Sequence, residues 1–233
     1  MKAINPFSSR EGEHVFVISG EVTEIVTNES SPNLPARVTV RAKGFTPEAP
    51  KYVTALCFAP FDGIGFDHKG IAIKASNVAL TNEESLWCCI VCIQQKTPNG
   101  GFSYKARSTS FVKTKKGSCT NYVSPYQIFF KEEDRGNICL LKGLATGCFE
   151  NPSYYAISFV EDTAAPEKTY VTAKCFAPKN ADNPMNNLEN AKKVKNGLSN
   201  GEAMHTVLVC KKSEYAGKPQ YTAIASFATV RNF

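Results

Sequence analysis

The chain has no run approaching eighteen apolar residues, and its opening stretch, MKAINPFSSREGEHV, lacks the apolar core of a secretion signal. Neither a membrane-spanning helix nor export is therefore expected, and the location read from the sequence is cytoplasmic. The glycine motifs that cradle phosphates, GxGxxG and GxxxxGKS/T, are missing. Histidine is scarce: His14, His68 and His205 are scattered, and none has a Ser or Cys beside it in a nucleophile turn. The acidic groups Glu83-Glu84 and Glu132-Glu133-Asp134 lie in loop-like contexts and read as solvated charge. With no catalytic constellation in view, the expectation is a protein that is not an enzyme and has no cofactor.

Cysteine is plentiful by contrast. Nine occur among 233 residues, at positions 57, 88, 89, 92, 119, 139, 148, 175 and 210. An odd count fits a disulfide framework poorly, and without an export signal reduced thiols are the default. The run CCIVC (88–92) invites a metal reading through Cys89 and Cys92. Residues three apart on a strand point to opposite faces, no second CxxC exists, and no histidine follows at finger spacing, so buried thiols and no metal are expected. The formal charge of +6 favours a polyanionic partner without proving one. It is spread over both halves, 14 basic against 10 acidic residues in 1–117 and 13 against 11 in 118–233, so an anion site must be a local patch.

A duplication organises what remains. YVTALCFAP (52–60) and YVTAKCFAP (170–178) match in eight of nine residues at an offset of 118. At the same offset WCCIVC (87–92) falls on HTVLVC (205–210), and YKARSTSFV (104–112) on TAIASFATV (222–230). Upstream, HVFVISGEVTEI (14–25) resembles NICLLKGLATGC (137–148) at an offset of 123. Four matches in one order indicate a duplicated domain. Domain one is placed at 10–115 and domain two at 135–233. The segment between them, 116–134, has charge at both ends and an aromatic middle, unlike a flexible linker.

Within both copies small apolar residues alternate with larger ones, the period of a two-faced strand. Val53, Ala55 and Cys57, or Val171, Ala173 and Cys175, suit the interior of a tightly curved barrel, where cysteine acts as a small hydrophobe. Tyr52, Thr54, Leu56 and Phe58, or Tyr170, Thr172, Lys174 and Phe176, are then left facing outward. In 186–203, Leu188, Ala191, Val194 and Leu198 share one helical face, and the NG and Gly201 signals close the helix. Five short strands with a helix after the third is the layout of an OB-fold barrel. The expected fold is all-β, two tandem OB-fold five-stranded barrels with a short inserted helix in each.

Domain two, roughly 137–230, resembles the bacterial-type single-stranded DNA-binding protein family. The resemblance rests on NICLLKGLAT, YVTAKCFAPKN, NAKKVKNGLSNGEAMHTVLVC and the closing hairpin KKSEYAGKPQYTAIAS. It implies base stacking by Tyr170 and Phe176 of the central strand and by Tyr215 in the hairpin. The internal repeat extends this to Tyr52 and Phe58 of domain one, where Thr97 stands opposite Tyr215 and Phe102 or Tyr104 is the substitute. Trp87 and Tyr221 complete the aromatic candidates, and Lys174, Lys179, Lys192, Lys193, Lys211 and Lys212 are the phosphate candidates.

Single-strand coating needs π surfaces along an open groove and cations that follow phosphates without fixing sequence. Six residues separate Tyr170 from Phe176, about 20 Å of extended chain, a spacing that suits different bases. The expected function is thus sequence-nonspecific coating of single-stranded DNA in replication or recombination, with RNA as the alternative ligand. Because related proteins assemble with four barrels, a homodimer is expected, and the size and missing acidic tail suit a phage or other mobile-element protein. Replication proteins remain among the partners the resemblance implies, with no acidic tail of the family's kind expected to recruit them. A competing reading makes the duplicated barrels subunit interfaces of an assembly protein. Thiol chemistry at Cys88, Cys89 or Cys92 ranks last.

Overall fold

The computed structural model describes residues 7, 14–28, 31, 33–42, 51–60, 66–116, 123–161, 168–179 and 186–230. Cys119 and residues 117–122 of the segment between the repeats lie outside them. The chain divides into two units, one of His14–Ile128 and one of Phe129–Phe233 together with Met1–Glu13.

The second unit follows the expected layout. After a 3-10 turn at Glu132–Asn137 come β7 (Ile138–Asn151), β8 (Tyr154–Glu161), β9 (Tyr170–Phe176), α2 (Asn187–Ser199), β10 (Met204–Tyr215) and β11 (Lys218–Val230). The strands close into a barrel in the order β10-β11-β9-β8-β7, the β9–β11 contact being parallel at Ala173–Tyr221 and Lys174–Thr222. One long strand makes closure possible. Residues 138–144 of β7 pair with β10 and residues 143–151 pair with β8, and the register slips between Ala145 and Gly147 where the strand bends. A bulge of this kind inserts one residue and sharpens the local twist. Alternation along β9 follows the expected pattern, with Val171, Ala173 and Cys175 buried and Tyr170, Thr172 and Phe176 exposed.

Helix α2 covers the core between β9 and β10. Asn186 caps its start by accepting from the Glu189 N–H at 3.1 Å, Ala191 and Val194 are fully buried, and Leu188 and Leu198 pack against the same cluster. The Asn196-Gly197 pair does not interrupt it. The helix continues to Ser199 and turns away at Gly201, whose φ of 76° is left-handed. Between β10 and β11 the chain reverses through Ala216 and Gly217, with φ of 50° and 73°, the paired left-handed residues of a two-residue hairpin.

The first unit carries β1 (Val15–Val26), β2 (Ala36–Ala42), β3 (Lys51–Cys57), α1 (His68–Ser76), β4 (Glu84–Lys96), β5 (Phe102–Lys115) and β6 (Val123–Gln127). Its sheet runs β2-β3-β5-β4-β1-β6, with β2 also paired to β1. Here too the first strand bends through a bulge, between Val22 and Glu24. The bend follows Gly20, where a Cβ would stand 2.5 Å from the Arg41 carbonyl oxygen, so only glycine permits that approach. Part of the segment expected between the domains is β6, which pairs with β1.

Duplication reaches individual bonds. The bulge residue Thr23 donates its hydroxyl to the Thr39 carbonyl at 3.2 Å, and Thr146, 123 residues on, donates to the Ser158 carbonyl at 3.2 Å. Thr39 and Thr54 share a hydroxyl bond at 3.2 Å, as Ser158 and Thr172 do at 2.7 Å. Further slips fall between Val91 and Cys92 and between Val209 and Cys210. The closing strands, however, match at an offset of 117: Tyr104 faces Ala55 as Tyr221 faces Ala173. The reading that set Tyr104 beside Thr222 is corrected by one residue.

One further equivalence crosses the chain order. The Ile128 N–H donates to the Val15 carbonyl at 2.9 Å, and the Phe7 N–H donates to the Ile138 carbonyl at 3.1 Å, with both side chains buried. Val15 and Ile138 are again 123 apart, so Phe7 occupies beside the first strand of the second repeat the place that Ile128 occupies beside that of the first. Phe7→Ala should therefore cost about 3 kcal/mol and reduce amide-exchange protection around Ile138–Leu141. Loss of protection confined to Val15–Ile18 would contradict the pairing.

Candidate nucleic-acid interface

The outward face of β7–β9 is built by alternation against a core that takes Tyr155, Ile157 and Phe159 from β8 and Val171, Ala173 and Cys175 from β9. Opposite them, register places side chains in rows across the three strands. Phe149, Ala156 and Lys174 form one row, and Gly147, Ser158 and Thr172 the next. Leu144, Val160 and Tyr170 close one end, while Asn151, Tyr154 and Phe176 close the other. Ring planes dominate this face. Tyr170 is 69% exposed, Phe149 64% and Phe176 38%. Tyr154 and Phe176, cross-strand neighbours, hold their ring centroids 5.2 Å apart at 47°.

Lys174 is fixed rather than floating. Its ammonium sits 5.4 Å from the Tyr154 ring centroid and donates to Gln220 Oε1 of β11 at 3.2 Å. A cation over a ring is held by the ring's quadrupole, which keeps the charge at the rim of the aromatic strip. In the hairpin beyond, Tyr215 is 71% exposed and sits opposite Lys218.

The other expected residues divide by environment. Tyr52 is exposed on β3, and Phe58 is partly exposed with Lys105 Nζ 5.2 Å from its centroid. Phe102 is exposed at the start of β5. Trp87 and Tyr221 are buried side chains and present no open ring, which corrects their place among the stacking candidates. Tyr104 is also turned inward: it packs against the core of the first unit, edge-on to Phe16 with centroids 5.4 Å apart, and its hydroxyl accepts from Gln94 at 3.3 Å. On α2, Lys192 pairs with Glu189 at 2.7 Å, which raises the Lys192 pKa. Lys211 pairs at 2.6 Å with the nearly buried Asp134, so its charge is committed to the fold. Lys179 and Lys193 are exposed, and Lys212 is half-buried.

Phe149 and Tyr154 belong to this face and were missed in the sequence. The signal available was the segment CFENPSYYAIS, a turn flanked by alternating residues, but the bulge at Thr146 shifts the alternation just before Phe149.

Seven of the eight described cysteines are buried and Cys148 is half-buried. Cys57, Cys88 and Cys92 line the first core, and Cys139, Cys175 and Cys210 the second. Burial pushes the thiols of Cys57, Cys89 and Cys175 up to about 12, with neighbouring Cys148 adding to the rise at Cys175. Among the described residues no group of three or more His, Cys, Asp or Glu is arranged to hold a metal ion, and no helix is long and apolar enough to cross a membrane.

No protein-family model and no curated protein matches the chain. Among solved structures, a deletion mutant of the single-stranded DNA binding protein from Thermus aquaticus aligns at 8% identity, covering 94% of this chain and 96% of that one, with a TM-score of 0.29. Fission yeast Pot1 with ssDNA aligns at 6% identity over 100% of this chain and 90% of its own, also at 0.29. A structure concerned with abrogation of pro-inflammatory cytokine activation aligns at 12% identity over 93% of each chain, at 0.24. Scores of this size carry no weight for function, which rests on the chain's own geometry.

Thiols with raised pKa values hold protons more tightly in the folded protein than in the unfolded one, whose thiols titrate near 9.0. Stability should accordingly be intact below that value and fall as pH rises toward 12. At about pH 8 the seven buried thiols should resist iodoacetamide until the protein is denatured. Rapid native alkylation of Cys88, Cys89 or Cys92, read by mass spectrometry, would contradict this and revive a reactive-thiol role.

Proposed function

We propose that the chain, built of two OB-fold barrels, coats single-stranded DNA without sequence preference and protects it during replication or recombination. The observation that carries this reading is the outward face of β7–β9, which presents Phe149, Tyr154, Tyr170 and Phe176 with the anchored Lys174 at its edge. Bases can lie on such rings only when unpaired, and ring stacking contributes about 1–3 kcal/mol per base whatever the base. The positively charged chain adds a phosphate term that weakens with salt.

A second barrel in the first unit is supported by its pairings: β2–β3, β3–β5, β5–β4, β4–β1 and β1–β2 form a ring, with β3–β5 parallel where β9–β11 is parallel. Two barrels per chain fit a cytoplasmic homodimer of four, and a phage or other mobile element is the proposed source. RNA is the alternative strand.

Fluorescence polarisation of labelled dT oligomers against duplex of equal length, at low and high salt, tests the reading. The wild type should bind the single strand selectively and lose affinity with salt, and Tyr170→Ala/Phe176→Ala should weaken binding about tenfold or more, equivalent to about 1.4 kcal/mol. A wild type that ignores dT would make this face an assembly surface and end the coating proposal.

A further inference from the structure

The register that equates the two repeats also shows where they differ. Offsets of 123, 119 and 118 align β1, β2 and β3 with β7, β8 and β9, so each outward position has a counterpart. Phe149 answers to Val26, Tyr154 to Pro35 and Lys174 to Leu56. Where the second unit has Leu144 and Val160 beside Tyr170, the first has Glu21 and Arg41 beside Tyr52, and those two charges form an ion pair at 3.7 Å. Gly147 of the second face, with the Phe149 ring lying over it, answers to the exposed Glu24. The ring of Phe58, the counterpart of Phe176, already has Lys105 over it.

Resting on the single-strand reading above, we propose that the strand is held by the β7–β9 face, with Phe149 and Tyr154 as stacking surfaces, and that the β1–β3 face takes no bases. Ring content separates the faces. Rows of β7–β9 place Leu144, Gly147, Phe149 and Asn151 where a carboxylate would repel phosphate, and Lys174 at the edge where phosphate can reach it. On β1–β3 the same rows carry Glu21 and Glu24 against Arg41 and the exposed Arg37, so their charges balance, and Val26 and Pro35 stand where Phe149 and Tyr154 offer rings. A base seated against Tyr52 would also have to displace or accommodate the Glu21–Arg41 pair.

Binding of labelled oligo(dT), compared across Phe149→Ala, Phe149→Leu, Phe149→Tyr, Tyr154→Ala and Tyr52→Ala/Phe58→Ala, tests the division. Phe149→Ala and Tyr154→Ala should each weaken binding about 5-fold or more. Phe149→Tyr should retain wild-type affinity, and Phe149→Leu, which keeps apolar bulk without a ring, should not. Tyr52→Ala/Phe58→Ala should stay within about 2-fold of wild type, a change too small for a lost stack. Phe149 is exposed, so its variants fold, and melting curves check the partly buried Tyr154. Equal losses from the two faces would overturn the division while leaving single-strand coating intact. Full dT affinity in Phe149→Ala and Tyr154→Ala, accompanied by a shift in sedimentation, would overturn it in favour of an interface between copies. Absence of any dT binding by the wild type would remove the underlying reading itself.

Discussion

The bend in the first strand of each repeat is the constraint on which the rest depends. At Gly143–Leu144 β7 passes from its pairing with β10 to its pairing with β8, and just beyond, the hydroxyl of the bulge residue Thr146 bonds the Ser158 carbonyl across the slip. A straight strand would have ended in one sheet and left an edge open. By serving both sides, β7 closes the barrel, and closure sets the curvature that every other strand must accommodate. Thr23 performs the same bend in β1, and Gly20 lets that strand approach Arg41 closely enough to make it.

Tight curvature then selects the side chains. Interior positions of the third strands hold Ala55 and Cys57, or Val171, Ala173 and Cys175, because larger residues would not fit beside Ile90 in one core or Phe159 and Leu208 in the other. The bulky residues of the same strands are thereby turned outward, where rings cost exposure unless something covers them. In β7–β9 four rings and one anchored ammonium share that surface. In β1–β3 charged residues take several of the same positions. A duplicated scaffold thus carries two chemically different faces.

Much of this was legible in the sequence. The repeated YVTA strands showed which residues turn inward, and the pairing of Cys57 with Cys175 and Cys92 with Cys210 marked core positions that are indeed fully buried. The apolar face of α2 was readable from Leu188, Ala191, Val194 and Leu198. Other features depend on register, which a single chain does not reveal. Trp87, Tyr104 and Tyr221 look like any aromatic in a strand, and only the bulges beside Cys92 and Cys210, with parallel pairing to β3 and β9, decide that the two tyrosines point inward. Phe149 was hidden for a related reason: one extra residue at the β7 bulge moves it to the open face. Ion pairing of Lys192 and Lys211 depends on Glu189 and Asp134, the second of which is distant in sequence.

The most direct measurement is photocrosslinking of the wild-type protein to iodouracil-substituted oligo(dT), with adducts located by mass spectrometry. Stacked rings react where the bases lie, so adducts should fall on Phe149, Tyr154, Tyr170 or Phe176. Adducts confined to β1–β3, or none at all under conditions where the oligomer is bound, would contradict the account.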